Sequence, residues 1–333
     1  MALLRKIIPG LLALALTSCY EDFTPKTDTR PVLCMNSLIT AGEPIEVSVT
    51  RTWAYTDIAA QRDHSVKDAK VSVYANGELR DDSYIPQEGD HIRLVAESPG
   101  FDPAEAEVTV PLAVPFSSVK CEPTVSNYWI DDSNGMANMS IRFNTLFILT
   151  ISDMPDAVNY YRFSYKNFYE SFGNLNSSFN YFTPGYFNYE SEPIFSEHIG
   201  VFESVMGCTA WGFEFFTDRQ FSGKDYTLHI LFTDADYTMN LPEFDESYLD
   251  CGYILTLSTV TESFYNYANY KWQLSDGFIY DMSDVGLSDP IQGYSNVSTG
   301  AGIVAAQTHS SYTINLKDFL KKWLEENQQN NKP

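Results

Sequence analysis

Four consecutive residues near the start of the chain, Leu16-Thr17-Ser18-Cys19, have the types and the order that covalent lipid attachment requires. An aliphatic residue and two small ones precede a cysteine whose thiol is diacylated before the segment ahead of it is removed. A basic pair and the apolar run Ile7–Leu16, which is too short to span a bilayer, come before them. The sequence therefore predicts a lipoprotein signal peptide over residues 1–18 and lipidation at Cys19. The alternative is a plain signal peptide followed by a chance cysteine.

The residues around Cys19 also suggest a location. Two or more acyl chains hold a protein stably on a membrane, and no other apolar stretch of the sequence approaches spanning length. Glu21-Asp22 resembles the acidic signal that sends lipoproteins of Bacteroidetes to the cell surface, although adjacent acids are also ordinary in a solvated tether. We therefore expect a lipid-anchored protein of the outer membrane that faces the cell exterior.

The charge and composition of the chain exclude two broad classes of protein. The sequence has 21 Lys+Arg against 44 Asp+Glu, for a formal net charge of −23. Phosphate contacts need clustered basic residues, so no nucleic-acid partner is expected. An apolar share of 44% is typical of a folded protein and not of a disordered one.

Four cysteines follow the predicted lipidation site: Cys34, Cys121, Cys208 and Cys251. Their spacing matches no zinc motif, and we expect neither a metal nor a cofactor. An envelope location permits disulfides, and the pairs Cys34–Cys121 and Cys208–Cys251 would place one bridge in each predicted domain. The alternative is four buried free thiols.

The sequence lacks the common catalytic templates. No esterase elbow, zincin motif or phosphate-binding loop occurs, and the five histidines are scattered. Asp131–Gly135 has the composition of a calcium loop but lacks its alternate oxygens and closing Glu. Glu243, Asp245 and Glu246 could act as a glycosidase pair, but 44 acids in one chain produce such neighbours by chance. We therefore expect no catalytic residues and a protein that is not an enzyme.

The densest feature is aromatic, with thirteen Tyr or Phe residues between Tyr160 and Tyr189. The first of them are typical of a strand whose rings fill a core. The part from Phe172 to Tyr189 is rich in Asn and Gly and harder to bury, so we predict a loop whose rings contact a glycan, a peptide or another protein. The candidate contact residues are Phe172, Phe179, Tyr181, Phe182, Tyr186, Phe187 and Tyr189.

Alternating apolar residues predict an all-β fold with a few short helices. The predicted parts are a lipidated tether (19–30), an immunoglobulin-like β-sandwich (31–115), a larger antiparallel β-rich domain with a C-terminal helix (116–326) and a polar tail (327–333). Asn76-Gly77 is a two-residue turn signal. Thr261 and Asn315 are predicted caps of two helices, and the second helix places Leu316, Phe319, Leu320, Trp323 and Leu324 on one face.

Several segments, taken in order, resemble one family: the Bacteroidetes outer-membrane lipoproteins classified as domain-of-unknown-function family 4249. The matching stretches are Val66–Val73, Leu94–Val110, Ile151–Pro155, Asn159–Tyr161, Glu192–Phe195, Phe216–Gly223, Ser263–Tyr270 and Tyr294–Val304. The stretch Asn174–Tyr189 has no counterpart in the family pattern. In the last stretch, Gly300 and Gly302 are expected to permit positive φ or close backbone approach before a strand at Ile303.

The resemblance implies a lipidated, β-rich envelope protein from a family often encoded beside TonB-dependent outer-membrane receptors, with no assigned catalytic residues. We therefore expect a non-enzymatic binding or accessory component of a TonB-dependent receptor uptake system. The alternatives are a structural or adhesive surface lipoprotein and, third, a hydrolase that uses carboxylates of the C-terminal domain.

Overall fold

The computed structural model describes most of the chain after the predicted tether. The described residues are 30–53, 63–131, 138–155, 157–169, 181–183, 185–188, 191–197, 214–240, 249–275, 277–286, 291 and 293–330. Val32–Thr52 and Ser65–Pro333 form one compact unit, and the description below is of that unit. The predicted boundary near residue 115 is therefore not a break between compact units.

The structure is β-rich and has a C-terminal helix, as the sequence predicts. The strands are Leu33–Thr40 (β1), Ser48–Arg51 (β2), Lys70–Ala75 (β3), Glu78–Arg80 (β4), His91–Glu97 (β5), Ala104–Thr109 (β6), Phe116–Asp131 (β7), Asn138–Ser152 (β8), Tyr160–Tyr169 (β9), Tyr181–Thr183 (β10), Tyr186–Asn188 (β11), Phe215–Thr217 (β12), Asp225–Asn240 (β13), Cys251–Val260 (β14) and Val304–Asn315 (β15). The helices are Glu262–Ser275 (α1), Gly277–Asp284 (α2) and Lys317–Asn330 (α3), with a short 3-10 helix at Pro193–Ser196. Among the described residues, no helix is long and apolar enough to cross a membrane.

The strands form three sheets. A six-stranded sheet has the order β12-β9-β14-β15-β1-β2, and a four-stranded sheet has the order β4-β3-β5-β6. The five-stranded sheet has the order β10-β13-β8-β7, and β11 also pairs with β13. In the six-stranded sheet β1 and β15 are parallel, whereas the other neighbours are antiparallel. The parallel pair places the first described strand beside the last.

Two hydrophobic clusters lie between these sheets. The larger cluster joins β8 and β13 to β9, β14 and α3, and three of its rings, Phe147, Phe232 and Tyr253, pack edge to face at centroid distances of 5.1–5.4 Å. The smaller cluster joins β1 and β15 to the four-stranded sheet, with Met35 and Ile92 fully buried. Apolar side chains from both ends of the chain thus complete the smaller core, whereas the larger core is built from residues 114–324.

An immunoglobulin-like sandwich over residues 31–115 is not confirmed. The four-stranded sheet accounts for only part of that range, because β1 and β2 join the six-stranded sheet beside β15. Val297, Val304 and Ala306, from the far end of the chain, fill the smaller cluster. Residues 31–115 therefore bury their apolar side chains partly against the C-terminal region and not only against one another.

Local sequence signals explain how several elements begin and end. Asn76 and Gly77 have φ values of 54° and 83°, as a two-residue turn between β3 and β4 requires. The predicted cap at Asn315 is confirmed, since its Oδ1 accepts a hydrogen bond of 2.8 Å from the backbone N–H of Lys317 at the start of α3. The hydroxyl of Thr261 instead accepts from the backbone N–H of Ala306 at 3.1 Å, so it fastens α1 to β15.

Candidate functional site

Two neighbouring candidate contact residues on β11 have opposite environments. The side chain of Tyr186 is 73% exposed, so its ring is open to solvent. The ring of Phe187 packs into the larger core, where its centroid lies 5.7, 5.4 and 5.7 Å from those of Phe163, Phe195 and Phe232. Phe187 is therefore a core residue, because side chains alternate between the two faces of a strand.

The predicted aromatic loop is partly strand. Tyr181 and Phe182 lie on β10, whose backbone pairs with β13 at Thr238 and Tyr237. The loop prediction is therefore wrong for β10 and β11, because both strands pair with β13. The other candidates, Phe172, Phe179 and Tyr189, lie outside the described residues.

The described cysteines are not bridged. Cys34, Cys121 and Cys251 are free thiols, so the predicted bridge Cys34–Cys121 is absent, and Cys208, the other half of the second predicted bridge, lies outside the described residues. Burial raises the pKa of both Cys121 and Cys251 to about 12, so these thiols stay protonated and poorly nucleophilic. Within the described part of the chain, no group of three or more His, Cys, Asp or Glu residues is arranged to hold a metal ion.

A cleft of about 490 Å³ lies over one face of the six-stranded sheet, between β1, α1 and the segment that leads into β2. Its size is typical of small-ligand and peptide side-chain sites. Its lining residues are Asn36, Ser37, Leu38, Glu46, Val47, Ser48, Phe264, Tyr267, Ile303 and Ala305. Glu46 is the one residue in this lining with an ionisable acidic or basic side chain.

The cleft is open because β2 leaves β1 early. Pairing between the two strands ends at Asn36↔Ser48. Ahead of Ser48, Ile45 and Val47 pack against the smaller core, and the Glu46 carbonyl accepts from the Ser37 hydroxyl at 2.8 Å. The edge of β1 beyond Asn36 is consequently not covered by β2, and Leu38 is 42% exposed there.

The wall of the cleft formed by α1 is held in place by contacts of α1 with β15 and β12. The backbone N–H of Thr261 donates to the carbonyl of Ala306 at 3.0 Å, and the Thr261 hydroxyl accepts from the Ala306 N–H. The ring of Phe264 packs edge to face on Phe215 at a centroid distance of 5.2 Å. These contacts fix the wall without help from a ligand, as is usual for preformed sites.

A second cluster is acidic and buried. Asp153 is 8% exposed and Asp218 is fully buried. Asn159 Nδ2 donates to both carboxylates, at 3.3 Å to Asp153 Oδ1 and 3.0 Å to Asp218 Oδ2. Asp153 also accepts from the backbone N–H of Gly223 at 2.8 Å and from the hydroxyl of Tyr161. The cluster joins the loop between β8 and β9 to the loop between β12 and β13, which are about 60 residues apart in the sequence.

The electrostatics of this cluster favour one bound proton. Burial, with the nearby charge of Asp153 as a further cause, raises the pKa of Asp218. Two adjacent buried carboxyl groups cannot both ionise cheaply, and Asp218 Oδ1 has no hydrogen-bond partner among the described residues. Since neither side chain is reachable from solvent, the pair fastens the fold and is unsuited to contact a substrate.

The loops that meet at this cluster belong to the segments that carry the family resemblance. The sequence profile described as "Domain of unknown function (DUF4249)" matches residues 20–313 and so spans all of these segments. The chain belongs to the DUF4249 family. Comparison of this DUF4249 chain with curated proteins and with solved structures gave no match.

The family-like segment Tyr294–Val304 of the DUF4249 chain caps one edge of β15. Asn296 Oδ1 accepts from the backbone N–H of Val304 at 2.9 Å, and its Nδ2 donates to the Val304 carbonyl at 2.7 Å. Gly302 has a φ of +111°, and a Cβ there would lie 2.2 Å from the carbonyl oxygen of Met35. The expected positive φ and close approach at Gly302 are thus confirmed.

One side-chain pair has the composition of a catalytic dyad. Ser258 Oγ lies 2.8 Å from His309 Nδ1 on adjacent strands. Ser258 is only 1% exposed, so no substrate reaches its hydroxyl. Desolvation lowers the pKa of His309, which keeps the ring neutral at physiological pH. The pair is a cross-strand contact that stabilises the β14–β15 ladder.

Sequence reasoning did not find the cleft. Its residues come from β1, the segment that leads into β2, α1 and the start of β15, and no local pattern marks them as one site. The one usable signal was Gly302, since close backbone approach there sets the start of β15 against β1.

Proposed function

We propose that this DUF4249 protein is an outer-membrane lipoprotein, facing the cell exterior, that serves as a non-enzymatic binding or accessory component of a TonB-dependent receptor uptake system. The cleft over the uncovered edge of β1 is the observation that carries the binding role. Its lining combines apolar and aromatic side chains with one carboxylate, Glu46, a composition suited to recognition.

The anchor rests on Cys19 and the residues before it. The mature N-terminal peptide is expected to carry acyl chains on Cys19, with a mass that identifies them. A Cys19→Ala variant should leave the membrane fraction, since two or more acyl chains supply stable attachment. Protease added to intact cells should degrade the wild-type protein. Protection of the protein in intact cells would place it on the periplasmic side instead.

Three groups with reactive side-chain chemistry are enclosed in the fold, which is compatible with a binding role. Asp218 and Cys251 are fully buried and Ser258 is 1% exposed. These three groups are closed off from solvent, whereas the cleft exposes Leu38 and the acid Glu46.

Growth of a deletion strain tests the uptake role. Cells lacking the protein should grow poorly on one or more of a panel of glycans and peptides offered as limiting nutrient. Attachment and envelope permeability should stay normal. The wild-type chain should restore growth, and a Leu38→Asp variant should not. Leu79→Asp, at a residue on β4 that is 64% exposed, serves as the matched control and should restore growth. Altered attachment or permeability with unchanged growth would favour the alternative, a structural or adhesive lipoprotein.

A further inference from the structure

We infer that the cleft binds an extended peptide segment of a partner protein, which pairs with β1 beyond Asn36 and places a bulky apolar side chain against Leu38 and Tyr267. This inference rests on the proposed binding function and specifies the ligand class of the same site. It follows from the main chain, the lining and the charge of the cleft.

The main chain of β1 is available for strand addition at Leu38. The backbone N–H of Ser37 donates to Ile303 at 2.9 Å, and that of Ala41 donates to Gln307 at 3.1 Å. Odd-numbered residues of β1 thus direct their N–H groups toward β15. Because neighbouring residues in a strand direct these groups to opposite sides, Leu38 directs its N–H and C=O toward the side that β2 has left. An uncovered strand edge of this kind is a template for an added strand.

On the side of β15 that faces away from β1, polar side chains occupy the main-chain hydrogen-bonding groups of Val304. There Asn296 bonds both the N–H and the C=O of Val304, and the Ser263 hydroxyl donates to the same C=O at 3.1 Å. No comparable side chain covers Leu38 among the described contacts of β1. Ser37 directs its hydroxyl to the carbonyl of Glu46 at 2.8 Å, on the core side of the sheet.

The length of the uncovered edge sets the strength of binding. Glu43 N–H donates to the carbonyl of Thr40 at 3.1 Å, so the chain turns away just after the cleft. An added strand therefore gains few main-chain hydrogen bonds, and most of its affinity must come from its side chain. A dissociation constant of roughly micromolar order is expected for such a contact.

The lining determines which side chain the partner inserts. Ile303 and Ala305 form an apolar floor, and the rings of Phe264 and Tyr267 form one wall. A volume of about 490 Å³ admits a large aliphatic or aromatic side chain together with part of its neighbour. Small polar residues would leave this lining unfilled.

The carboxylate of Glu46 determines which peptide residue is favoured beside the inserted apolar side chain. Glu46 is exposed, and no basic residue lines the cleft to neutralise it. A Lys or Arg in the peptide next to the apolar residue is complementary to this carboxylate. The ligand is therefore a basic and apolar extended segment and not an acidic one.

A library of phage-displayed peptides of about ten residues, selected on the full chain purified in detergent, tests the inference. The selected peptides should share a bulky apolar residue next to Lys or Arg. In fluorescence anisotropy with one labelled selected peptide, Leu38→Asp and Tyr267→Ala should each weaken binding by about tenfold or more. Glu46→Gln should reduce the salt dependence of binding, and Leu79→Asp, the matched surface control, should change nothing. Equal melting temperatures of the variants would show that they fold.

A version of the selected peptide with alternate backbone nitrogens methylated separates strand pairing from simple apolar contact. Methylation removes N–H donors and adds bulk against the edge of β1, so it should weaken binding by about tenfold or more. Equal binding of the methylated peptide, or binding that survives Leu38→Asp, would overturn the inference. So would an empty selection, or a concentration-dependent dimer that Leu38→Asp abolishes, since the occupant would then be a second copy. If the Leu38→Asp protein still restores growth in the deletion strain, the peptide inference fails while the wider uptake role stands.

Discussion

Asp218 lies in the core beside a second carboxyl group, that of Asp153, and Asn159 bridges the two. Because burial disfavours its charged form, Asp218 holds its proton to a higher pH than an exposed aspartate does. The native state thus binds this proton more tightly than the unfolded chain. The free energy of unfolding therefore falls as the pH rises above the ordinary aspartate pKa of 3.8 and toward the raised native value.

Replacing Asp218 by Asn should remove this pH dependence. An amide is uncharged at every pH, keeps an acceptor for Asn159 and gains donors for Asp153. At about pH 8 the Asp218→Asn protein should exceed the wild type in free energy of unfolding by about 1 kcal/mol or more. Urea unfolding at several pH values would measure this difference. Asp153→Asn is the control, since Asp153 accepts from Gly223 and Tyr161. This control should lose stability throughout, and equal pH slopes for Asp218→Asn and wild type would contradict the account.

Gly302 is required for its backbone geometry. At φ +111° a side chain is strained, and its Cβ would collide with the carbonyl of Met35. Gly302→Ala should therefore lower the free energy of unfolding by roughly 3 kcal/mol. Gly293→Ala is the matched control, because the nearest atom to a Cβ there is the Tyr270 hydroxyl at 3.8 Å. Similar melting temperatures for the two variants would show that the β1–β15 contact tolerates a side chain.

At the scale of elements, the two neighbouring rings of β11 lie on opposite faces: Tyr186 faces solvent and Phe187 faces the core. Phe187→Ala removes a ring that contacts three others, so the protein should lose about 3 kcal/mol of unfolding free energy. Tyr186→Ala should leave the melting temperature unchanged, because its side chain is 73% exposed. Thermal melts of the two variants measure this difference, and a destabilised Tyr186→Ala protein would place that ring in the core.

The start of α3 is fixed by polar contacts that the sequence signals in advance. Asn315 caps Lys317, and its Nδ2 donates to Asp250 Oδ1 at 3.1 Å. Asn315→Ala should cost about 1 kcal/mol of unfolding free energy. Lys322→Ala, on the exposed face of α3, should cost far less. Chemical unfolding of both variants gives the comparison, and equal losses would mean that the cap contributes nothing.

How far the sequence predicts an element depends on the range of the interactions that define it. The cap at Asn315 and the Asn76-Gly77 turn depend on neighbours in sequence, so their prediction succeeds. The strands β10 and β11 lie in a stretch rich in Asn and Gly, whose composition favours loop. Their pairing with β13 overrides that local preference.

At the scale of the whole molecule, contacts between residues far apart in the sequence determine which strands share a sheet, and local sequence patterns do not predict these contacts. Ile303 donates to Asn36 across 267 residues of sequence, and this contact sets β1 beside β15. No local pattern encodes that partnership. The predicted division at residue 115 treats the N-terminal strands as a separate sandwich, whereas β1 and β2 join the C-terminal sheet. The cleft was invisible for the same reason, since it arises where β2 leaves that shared sheet.

The charge of the whole molecule fits a protein that works at a membrane surface. A formal net charge of −23 keeps the chain soluble beside anionic lipid and favours basic partners. In the proposed function, a lipid anchor at Cys19 holds the cleft near outer-membrane receptors. This arrangement would link the sequence of the first residues to the proposed binding role.

Crosslinking of intact cells, followed by affinity purification of the tagged lipoprotein, tests the central claim most directly. Mass spectrometry of the purified material should identify a TonB-dependent outer-membrane receptor with the wild-type chain, and recovery should fall sharply with Cys19→Ala. Recovery of the wild-type lipoprotein with no outer-membrane barrel crosslinked to it would contradict the account.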